Sequence, residues 1–296
     1  MLALAERASG LLSEAAHLGS FGHVELRELA NAPDLSVRDV TVSFGGIRAL
    51  DDVSVEVSRG EVVGIIGPNG AGKTTLFNVI CGFVKPDSGS LTWRGKTLDR
   101  IRPDQLTGLG IARTLQGVGL FPRMTALENV IVGAQRFRRA GLASALLALP
   151  RSDHDERELR DRAKAALSRV GCEEAEDRLP GTLPYAMQKR VALARALVSE
   201  PELLLLDEPA GGLDAGELSD LASLIDSIRH SLAVMVVDHH MDLVTSLCDR
   251  VVVLDFGQVI AEGVPPEVRQ NPQVLEAYLG QAADKIAAPI GSEEGG

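Results

Sequence analysis

The stretch that decides the fold is GPNGAGKT, residues Gly67–Thr74. The apolar run EVVGII precedes it, and the run TLFNVI follows it with helical spacing. A strand, a glycine-rich loop and a helix start are the context that a phosphate-binding loop (P-loop) requires. We therefore predict such a unit over residues 61–82. The residues expected to bind the nucleotide are Gly67, Pro68, Asn69, Gly70, Ala71, Gly72, Lys73, Thr74 and Thr75.

Each residue type in this loop has a chemical reason. The glycines Gly67, Gly70 and Gly72 allow the backbone to curl so that successive N–H groups point at phosphate oxygens. The helix that starts near Lys73 adds the positive end of its dipole. The Lys73 ammonium supplies a full charge for the β- and γ-phosphates, and the Thr74 hydroxyl can bind Mg²⁺. The alternative is a glycine turn with an incidental lysine, and it is disfavoured because every fixed position is filled.

A second motif supplies the acids that such a site needs. The stretch LLLLDE, Leu203–Glu208, is a short apolar strand that ends in two carboxylates, as is typical of the centre of a parallel sheet. Asp207, at the carboxyl end of the strand, can hold Mg²⁺ through water. Glu208 can accept a proton from the attacking water or polarise it. Alone, the two acids could open an ordinary loop, but beside a P-loop they indicate nucleotide hydrolysis.

The composition narrows the class of protein. The chain has 296 residues, of which 45% are hydrophobic, and its net charge is −11. This acidic balance argues against a nucleic-acid binder, which normally shows a basic face. Three isolated cysteines form no CxxC pair, which indicates a reducing compartment and no zinc site. No apolar stretch approaches the roughly 20 residues that span a bilayer, and the start lacks the basic region of a signal peptide. We expect a cytosolic protein that meets a membrane through partners.

The residue pattern divides the chain into three regions. Residues 1–33 form an N-terminal extension with a helical apolar stripe, either packed on its own domain, poorly ordered, or docked on a partner. Residues 34–280 form the main domain, with antiparallel strands near its start and a mostly helical part over about 103–195. Its clearest helix is predicted over Ser152–Val170, with Ser152 as its N-cap. Residues 281–296 end in GSEEGG and are expected to be a disordered tail.

Over about residues 35–280 the chain resembles the ATP-binding cassette (ABC) ATPases, because its motifs stand in that family's order and spacing. The resemblance implies ATP and Mg²⁺ as cofactors. It implies an α/β fold: a P-loop ATPase core with a mainly parallel sheet, an N-terminal antiparallel β-subdomain and an inserted α-helical subdomain. It also assigns further roles, with Phe44 stacking on adenine and Gln116 of the Q-loop reaching Mg²⁺ and water. His239 would contact the γ-phosphate, and its neighbour His240 is the competing assignment.

Two stretches narrow the resemblance to a branch of the family. Gly110–Gly133 and Asn271–Gly280 resemble the ATPase subunits of bacterial importers for branched-chain amino acids and related polar solutes such as urea or short amides. The resemblance implies two membrane permease subunits that dock near the Q-loop at the cytoplasmic face of the plasma membrane, and an extracytoplasmic solute-binding protein that acts indirectly. Two rival classes are a non-transport ABC protein and a nucleotide-binding scaffold that hardly hydrolyses. The acidic charge and the single cassette argue against the first.

The chain departs from the family at its signature motif. The aligned stretch, Leu183–Met187, reads LPYAM, whereas the signature of the family resembles LSGGQ, or LSYGQ in this branch. Pro184 offers neither a hydroxyl nor an N–H, and Met187 lacks an amide. Hydrogen bonds to charged groups of this kind contribute about 1.5–3 kcal/mol each, so the nucleotide of an opposing subunit would be clamped weakly. We therefore expect a heterodimer with a second ABC ATPase, rather than a homodimer, in which this chain's own site hydrolyses ATP.

Overall fold

Two β-sheets form the framework of the computed structural model, which describes residues 33–98, 101–114, 117–137 and 150–287. The first is antiparallel. Its strands β1 (Leu35–Phe44) and β2 (Ile47–Val57) meet at a Gly45-Gly46 turn, and β4 (Ser88–Trp93) joins β1 to the short β5 (Lys96–Thr97). The predicted antiparallel subdomain is therefore confirmed. Its alternating apolar and polar residues suit strands that bury one face.

The second sheet is mainly parallel and has six strands in the order β10-β9-β3-β8-β7-β6. Neighbouring strands are parallel except in the terminal hairpin of β9 and β10. The central strands are buried along their whole length, which explains their continuous runs of valine, isoleucine and leucine. The six strands are β3 (Val62–Ile66), β6 (Ile111–Arg113), β7 (Leu203–Asp207), β8 (Ala233–Val237), β9 (Arg250–Asp255) and β10 (Gln258–Gly263).

The strand register brings three chain segments to one edge of this sheet. Val237 of β8 pairs with Ile65 of β3 on one side and with Asp207 of β7 on the other. Because all three strands are parallel, their carboxyl ends lie side by side. The loops that follow them therefore start next to each other, and this edge is where an open α/β sheet binds ligands.

The alternation of side chains along β3 divides the core into two layers. Val62 and Ile66 pack into one hydrophobic cluster, and Val63 and Ile65 pack into the other. The cluster of Val63 and Ile65 includes the antiparallel sheet and the helix α1 (Lys73–Ile80) that follows the P-loop. The cluster of Val62 and Ile66 is filled from the opposite face by the remaining helices. The P-loop helix thus lies between the two sheets.

The helices of the opposite layer come from the middle and the end of the chain. In the described ranges every helix is too short or too polar to cross a bilayer. The helix bounds are α2 Ala126–Gly133, α3 Pro150–Arg169, α4 Tyr185–Leu197, α5 Ala215–Arg229, α6 Met241–Leu247, α7 Pro265–Gln270 and α8 Pro272–Ala287.

The structure differs from the sequence-based bounds in three places. Helix α3 already includes Pro150, so the predicted cap Ser152 lies inside the helix. Strand β6 lies inside the predicted helical region 103–195 and belongs to the main sheet. Helix α8 continues to Ala287, so the first part of the predicted tail 281–296 is helical. Most of the predicted extension, residues 1–32, lies outside the described residues. The last residues of the predicted tail, 288–296, lie outside them as well.

Candidate active site

The P-loop curls between β3 and α1 in a backbone conformation that excludes side chains at two glycines. Gly67 has φ +146° and Gly72 has φ +104°. A Cβ at Gly67 would lie 2.0 Å from the Leu254 carbonyl oxygen, and one at Gly72 would lie 2.5 Å from the Ala49 carbonyl oxygen. Neither backbone neighbour can move away cheaply. The glycines that the sequence places here are therefore required by the curl itself.

The Lys73 ammonium folds back over the loop. Its Nζ donates hydrogen bonds to the carbonyl oxygens of Gly67 at 2.6 Å and Pro68 at 2.7 Å. Burial lowers the pKa of Lys73, while the nearby negative charge of Glu208 acts in the opposite direction. Lys73 is thus held at the curl, within reach of the acidic motif. The other loop residues range from buried Ala71 to exposed positions, and the exposed ones are Asn69, Gly70 and Thr74.

The acidic motif lies at the carboxyl end of β7. Asp207 is 5% exposed, and its Oδ2 accepts a hydrogen bond of 2.6 Å from Arg113 Nη2. Glu208 follows with φ +48°, an uncommon conformation for a residue with a side chain. Its N–H donates to the Val237 carbonyl at 2.8 Å, and its carbonyl accepts from Lys189 Nζ at 3.1 Å. The strained backbone of Glu208 is therefore fixed from two sides.

The two histidines after β8 differ in their freedom. His240 Nδ1 lies 2.7 Å from Oδ1 of Asp238, and the His240 side chain is 33% exposed. The His239 side chain is 55% exposed, and its ring centroid lies 4.2 Å from that of His240. His240 is thus engaged with a buried carboxylate, whereas more of the His239 side chain is exposed. The contact of His239 with the γ-phosphate, with His240 as the competing assignment, stays a prediction.

Asp238 organises the loops around these histidines. Its side chain is fully buried, and it accepts hydrogen bonds from the N–H groups of His239 at 2.7 Å and His240 at 2.9 Å through Oδ1. Its Oδ2 accepts from the Ala210 N–H at 2.9 Å. The Asp238 carboxylate is therefore saturated by the protein. It links the loop after β7 to the loop after β8.

The predicted roles of two site residues, Phe44 and Gln116, are not tested by the structure. Phe44 lies at the exposed end of β1, 52% exposed and paired with Ile47 across the hairpin. Its stacking on adenine stays a prediction. Gln116 lies outside the described residues, so its predicted roles at Mg²⁺ and water also stay predictions.

Three residues at this edge were missed by the sequence analysis: Arg113, Lys189 and Asp238. Arg113 stands in the quoted stretch Gly110–Gly133, but no local pattern gave it a role. Lys189 and Asp238 make their contacts across long sequence separations. The signal that could have found Asp238 is its position directly after a fully apolar strand at the ligand-binding edge.

The stretch LPYAM, which the sequence analysis predicts to be a divergent signature, surrounds the start of α4. Pro184 is the N-cap residue and makes no side-chain capping hydrogen bond. Tyr185 is 42% exposed, and its ring packs against Gly212 and over Lys189 Nζ, which is 5.4 Å from the ring centroid. Met187 is partly buried against the core cluster of the helical layer. The side chains at Pro184 and Met187 therefore offer no polar group to a ligand of a second subunit.

The chemistry of the predicted metal ligands fits Mg²⁺. This hard cation prefers oxygen ligands and usually keeps several waters. The Thr74 hydroxyl stands in the first turn of α1, and the Asp207 carboxylate ends β7, so both candidate ligands are oxygens at the same sheet edge. Arg113 engages Oδ2 of Asp207, which leaves Oδ1 for the ion or its water.

Two family models match the chain. One described as ABC transporter covers residues 50–211, which include the P-loop and the acidic motif. One described as branched-chain amino acid ATP-binding cassette transporter covers residues 258–284, which include all of β10 and α7 and most of α8. The matches span both the nucleotide-binding edge and the C-terminal part of the fold. The fold and this site therefore define an ATP-binding cassette ATPase.

Comparison with individual proteins assigns the chain to the same family. The chain is 41% identical over 252 residues to the high-affinity branched-chain amino acid transport ATP-binding protein LivG of Salmonella typhimurium, covering 84% of this chain and 99% of LivG. It is 39% identical over the same length to BraF of Pseudomonas aeruginosa, which carries the same description. A crystal structure of the ADP conformation of an ABC transporter cassette superposes with a TM-score of 0.74 at 32% identity, covering 84% of this chain and all of that chain. The chain belongs to the ABC transporter family, among its ATP-hydrolysing subunits.

Proposed function

We propose that the chain energises the import of branched-chain amino acids or related polar solutes by hydrolysing ATP at the cytoplasmic face of a membrane. It would act through two permease subunits that dock near the Q-loop, with a solute-binding protein on the other side. The support is the close likeness to LivG and BraF over nearly their whole length. The separate match of residues 258–284 supports the same branch of the family.

Each site residue would have its own role in ATP hydrolysis. The P-loop N–H groups and Lys73 would bind and orient the triphosphate. Mg²⁺, held by Thr74 and Asp207 with Gln116, would supply the charge that neutralises the phosphate oxygens. Glu208, on its fixed backbone, would take the proton of the attacking water. His239 would contact the γ-phosphate from the adjacent loop, so that hydrolysis changes the contacts at two loops together.

The observation that carries the finer proposal is the contrast between two surfaces of this chain. The nucleotide edge keeps Lys73, Asp207, Glu208 and His239, whereas the signature offers Pro184 at an uncapped helix start. In an ABC dimer the signature of one subunit completes the nucleotide site of the other. We therefore propose a heterodimer in which a second ATPase with an intact signature completes this chain's site. The site facing LPYAM would turn over slowly.

A purification experiment tests this proposal. The chain would be isolated from membranes with its bound proteins, which would be identified, and ATP hydrolysis would be measured for the complex and for the chain alone. We expect a second ATPase and two permeases in the complex, and a low rate for the chain alone. A full rate from the homodimer would reject the heterodimer. A complex that binds ATP but hydrolyses none would favour the nucleotide-binding scaffold instead.

A further inference from the structure

The Arg113 guanidinium joins three elements behind the nucleotide edge. Nη2 donates to Asp207 Oδ2 at 2.6 Å, and Nη1 donates to Asn78 Oδ1 at 2.7 Å. Its Cζ lies 5.7 Å from the centroid of the Phe77 ring. Asn78 and Phe77 belong to α1, the P-loop helix, while Asp207 ends β7 and Arg113 itself ends β6. One side chain therefore connects the P-loop helix to the acidic motif.

This ion pair is buried, and burial is costly. The side chains of Arg113 and Asp207 are only 13% and 4% exposed. Arg113 Nε is buried and has no hydrogen-bond partner among the described residues. Removing two charges from water costs several kcal/mol per ion in real proteins, so such a pair is weak evidence for stability. A role of the Arg113–Asp207 pair in the nucleotide site therefore explains its burial better than a contribution to stability does.

The residue that follows β6, Thr114, also holds the backbone of Asp207. The Asp207 N–H donates to Thr114 Oγ1 at 3.2 Å, and the Thr114 N–H donates to the Leu205 carbonyl at 2.9 Å. Residues 113 and 114 thus fix both the main chain and the carboxylate of the acid. Thr114 stands two positions before Gln116 in the sequence.

We propose that Arg113 is a positioning residue for magnesium, which holds the Asp207 carboxylate by one oxygen so that the other is presented to the ion. The proposal rests on the magnesium site of the proposed function. Carboxylates that bind metals are commonly oriented by a second hydrogen bond, and loss of that partner typically costs about 10–100-fold in metal affinity or activity. Because Asn78 anchors the other arm of the guanidinium, the orientation of Asp207 is tied to the P-loop helix.

Two substitutions separate orientation from charge. Arg113→Met removes both hydrogen bonds, and Arg113→Lys keeps the charge but cannot bridge Asn78 and Asp207 as a planar fork does. Asn78→Ala removes the second anchor and keeps the Arg113–Asp207 pair. The matched control is Arg102→Met, because Arg102 is exposed and makes a surface ion pair with Asp104 at 3.3 Å.

The measurement is metal binding by the purified full-length chain. Mn²⁺, a paramagnetic substitute for Mg²⁺, would be titrated in the presence of a non-hydrolysable ATP analogue and followed by electron paramagnetic resonance. Binding of the analogue in EDTA would be measured separately by calorimetry, since the P-loop alone should support it. Asp207→Asn serves as the reference for a site that lacks its carboxylate ligand.

We expect Arg113→Met to weaken Mn²⁺ binding about 10–100-fold and to leave analogue binding in EDTA unchanged. Arg113→Lys should lie between it and the wild type, Asn78→Ala should weaken Mn²⁺ binding by a smaller factor, and Arg102→Met should match the wild type. Unchanged or tighter Mn²⁺ binding in Arg113→Met would overturn the proposal. If Arg113→Met does not fold, as judged by circular dichroism, an unchanged affinity in Asn78→Ala overturns it. If Asp207→Asn binds Mn²⁺ as the wild type does, the magnesium site itself fails.

Discussion

Lys189 lies under the backbone of Glu208 and donates a hydrogen bond of 3.1 Å to its carbonyl oxygen. A second bond of 2.8 Å reaches the carbonyl of Pro209. Burial lowers the pKa of Lys189, and the charges of Asp238 and Glu208 oppose this effect. Since Lys189 belongs to α4, the helix that starts in LPYAM, the proposed base of this chain's site is braced by the element that would face the other site of a dimer.

Replacing Lys189 with methionine should therefore affect both stability and turnover. Hydrogen bonds to a charged group are worth about 1.5–3 kcal/mol, so we expect Lys189→Met to lower the free energy of unfolding by about 2 kcal/mol and to reduce kcat. Urea unfolding and ATPase assays of the assembled complex check this. The control is Lys164→Met, because Lys164 forms a half-exposed pair with Glu176 at 3.0 Å. The control should change stability by less than about 1 kcal/mol, and equal effects in both variants would contradict the bracing role.

Lys73→Ala should abolish most nucleotide binding while leaving the fold intact. The substitution removes the cation that the curl holds at the phosphate site, and we expect a loss of affinity for ATP of at least roughly 100-fold. Calorimetry with MgATP measures it. Lys85→Ala is a suitable control, since Lys85 is exposed beyond the end of α1. A Lys73→Ala variant that binds ATP normally would refute the assignment of the P-loop.

Glu208→Gln should separate binding from hydrolysis. General bases contribute roughly 10²–10⁴-fold, so the rate of the assembled complex should fall by at least about 100-fold while ATP affinity is retained. The closed, ATP-bound dimer should then accumulate and be visible by size-exclusion chromatography. Glu174→Gln, at an exposed position, should behave as the wild type. Normal turnover in Glu208→Gln would mean that another group handles the proton.

Restoring the signature should strengthen self-association of this chain. The triple variant Pro184→Ser, Ala186→Gly and Met187→Gln returns the hydroxyl and the amide that LPYAM lacks. With one or two charged hydrogen bonds regained, ATP-dependent dimerisation of the lone chain should tighten at least about tenfold. Sedimentation with ATP measures it, and Pro122→Ser with Met124→Gln is a control of the same chemistry at exposed positions. No tightening would indicate that LPYAM does not limit closure.

The three cysteines should make the protein less stable at high pH. Burial raises the pKa of the Cys81 and Cys172 thiols to about 11 and that of Cys248 to about 12, from an ordinary value of 9.0. The unfolded chain therefore loses these protons first as pH rises, so stability is complete below pH 9.0 and declines toward pH 11 to 12. Urea unfolding across this range checks it, and Cys81→Ala should show a shallower decline. Native thiols should resist thiol reagents below pH 9.0.

Local patterns were sufficient for the framework of the site. The curl of Gly67 and Gly72, the strand ending at Asp207 and the strand before His239 each follow from a few adjacent residues. The resemblance to the ABC ATPases, read from the same motifs, is confirmed by the family matches and the solved structure. The α/β fold with its antiparallel subdomain is confirmed as well.

Contacts between distant residues could not be predicted in the same way. Arg113 and Asp207 are 94 positions apart, and Ala210 and Asp238 are 28 apart. Such pairs depend on strand order, which no single stretch encodes. Strand β6 was missed because three residues are too few to show a period of two. The start of α3 was misplaced because serine is a common N-cap residue, whereas Ser152 lies inside the helix.

The saturated carboxylate of Asp238 has a mechanical consequence. Because its Oδ2 accepts from the Ala210 N–H and its Oδ1 from the His239 N–H, one side chain joins the loop that follows Glu208 to the loop that carries His239. In the proposed reaction, loss of the γ-phosphate contact at His239 would therefore also shift the backbone that follows Glu208. Phosphate release and the return of the site to its starting geometry would then occur together.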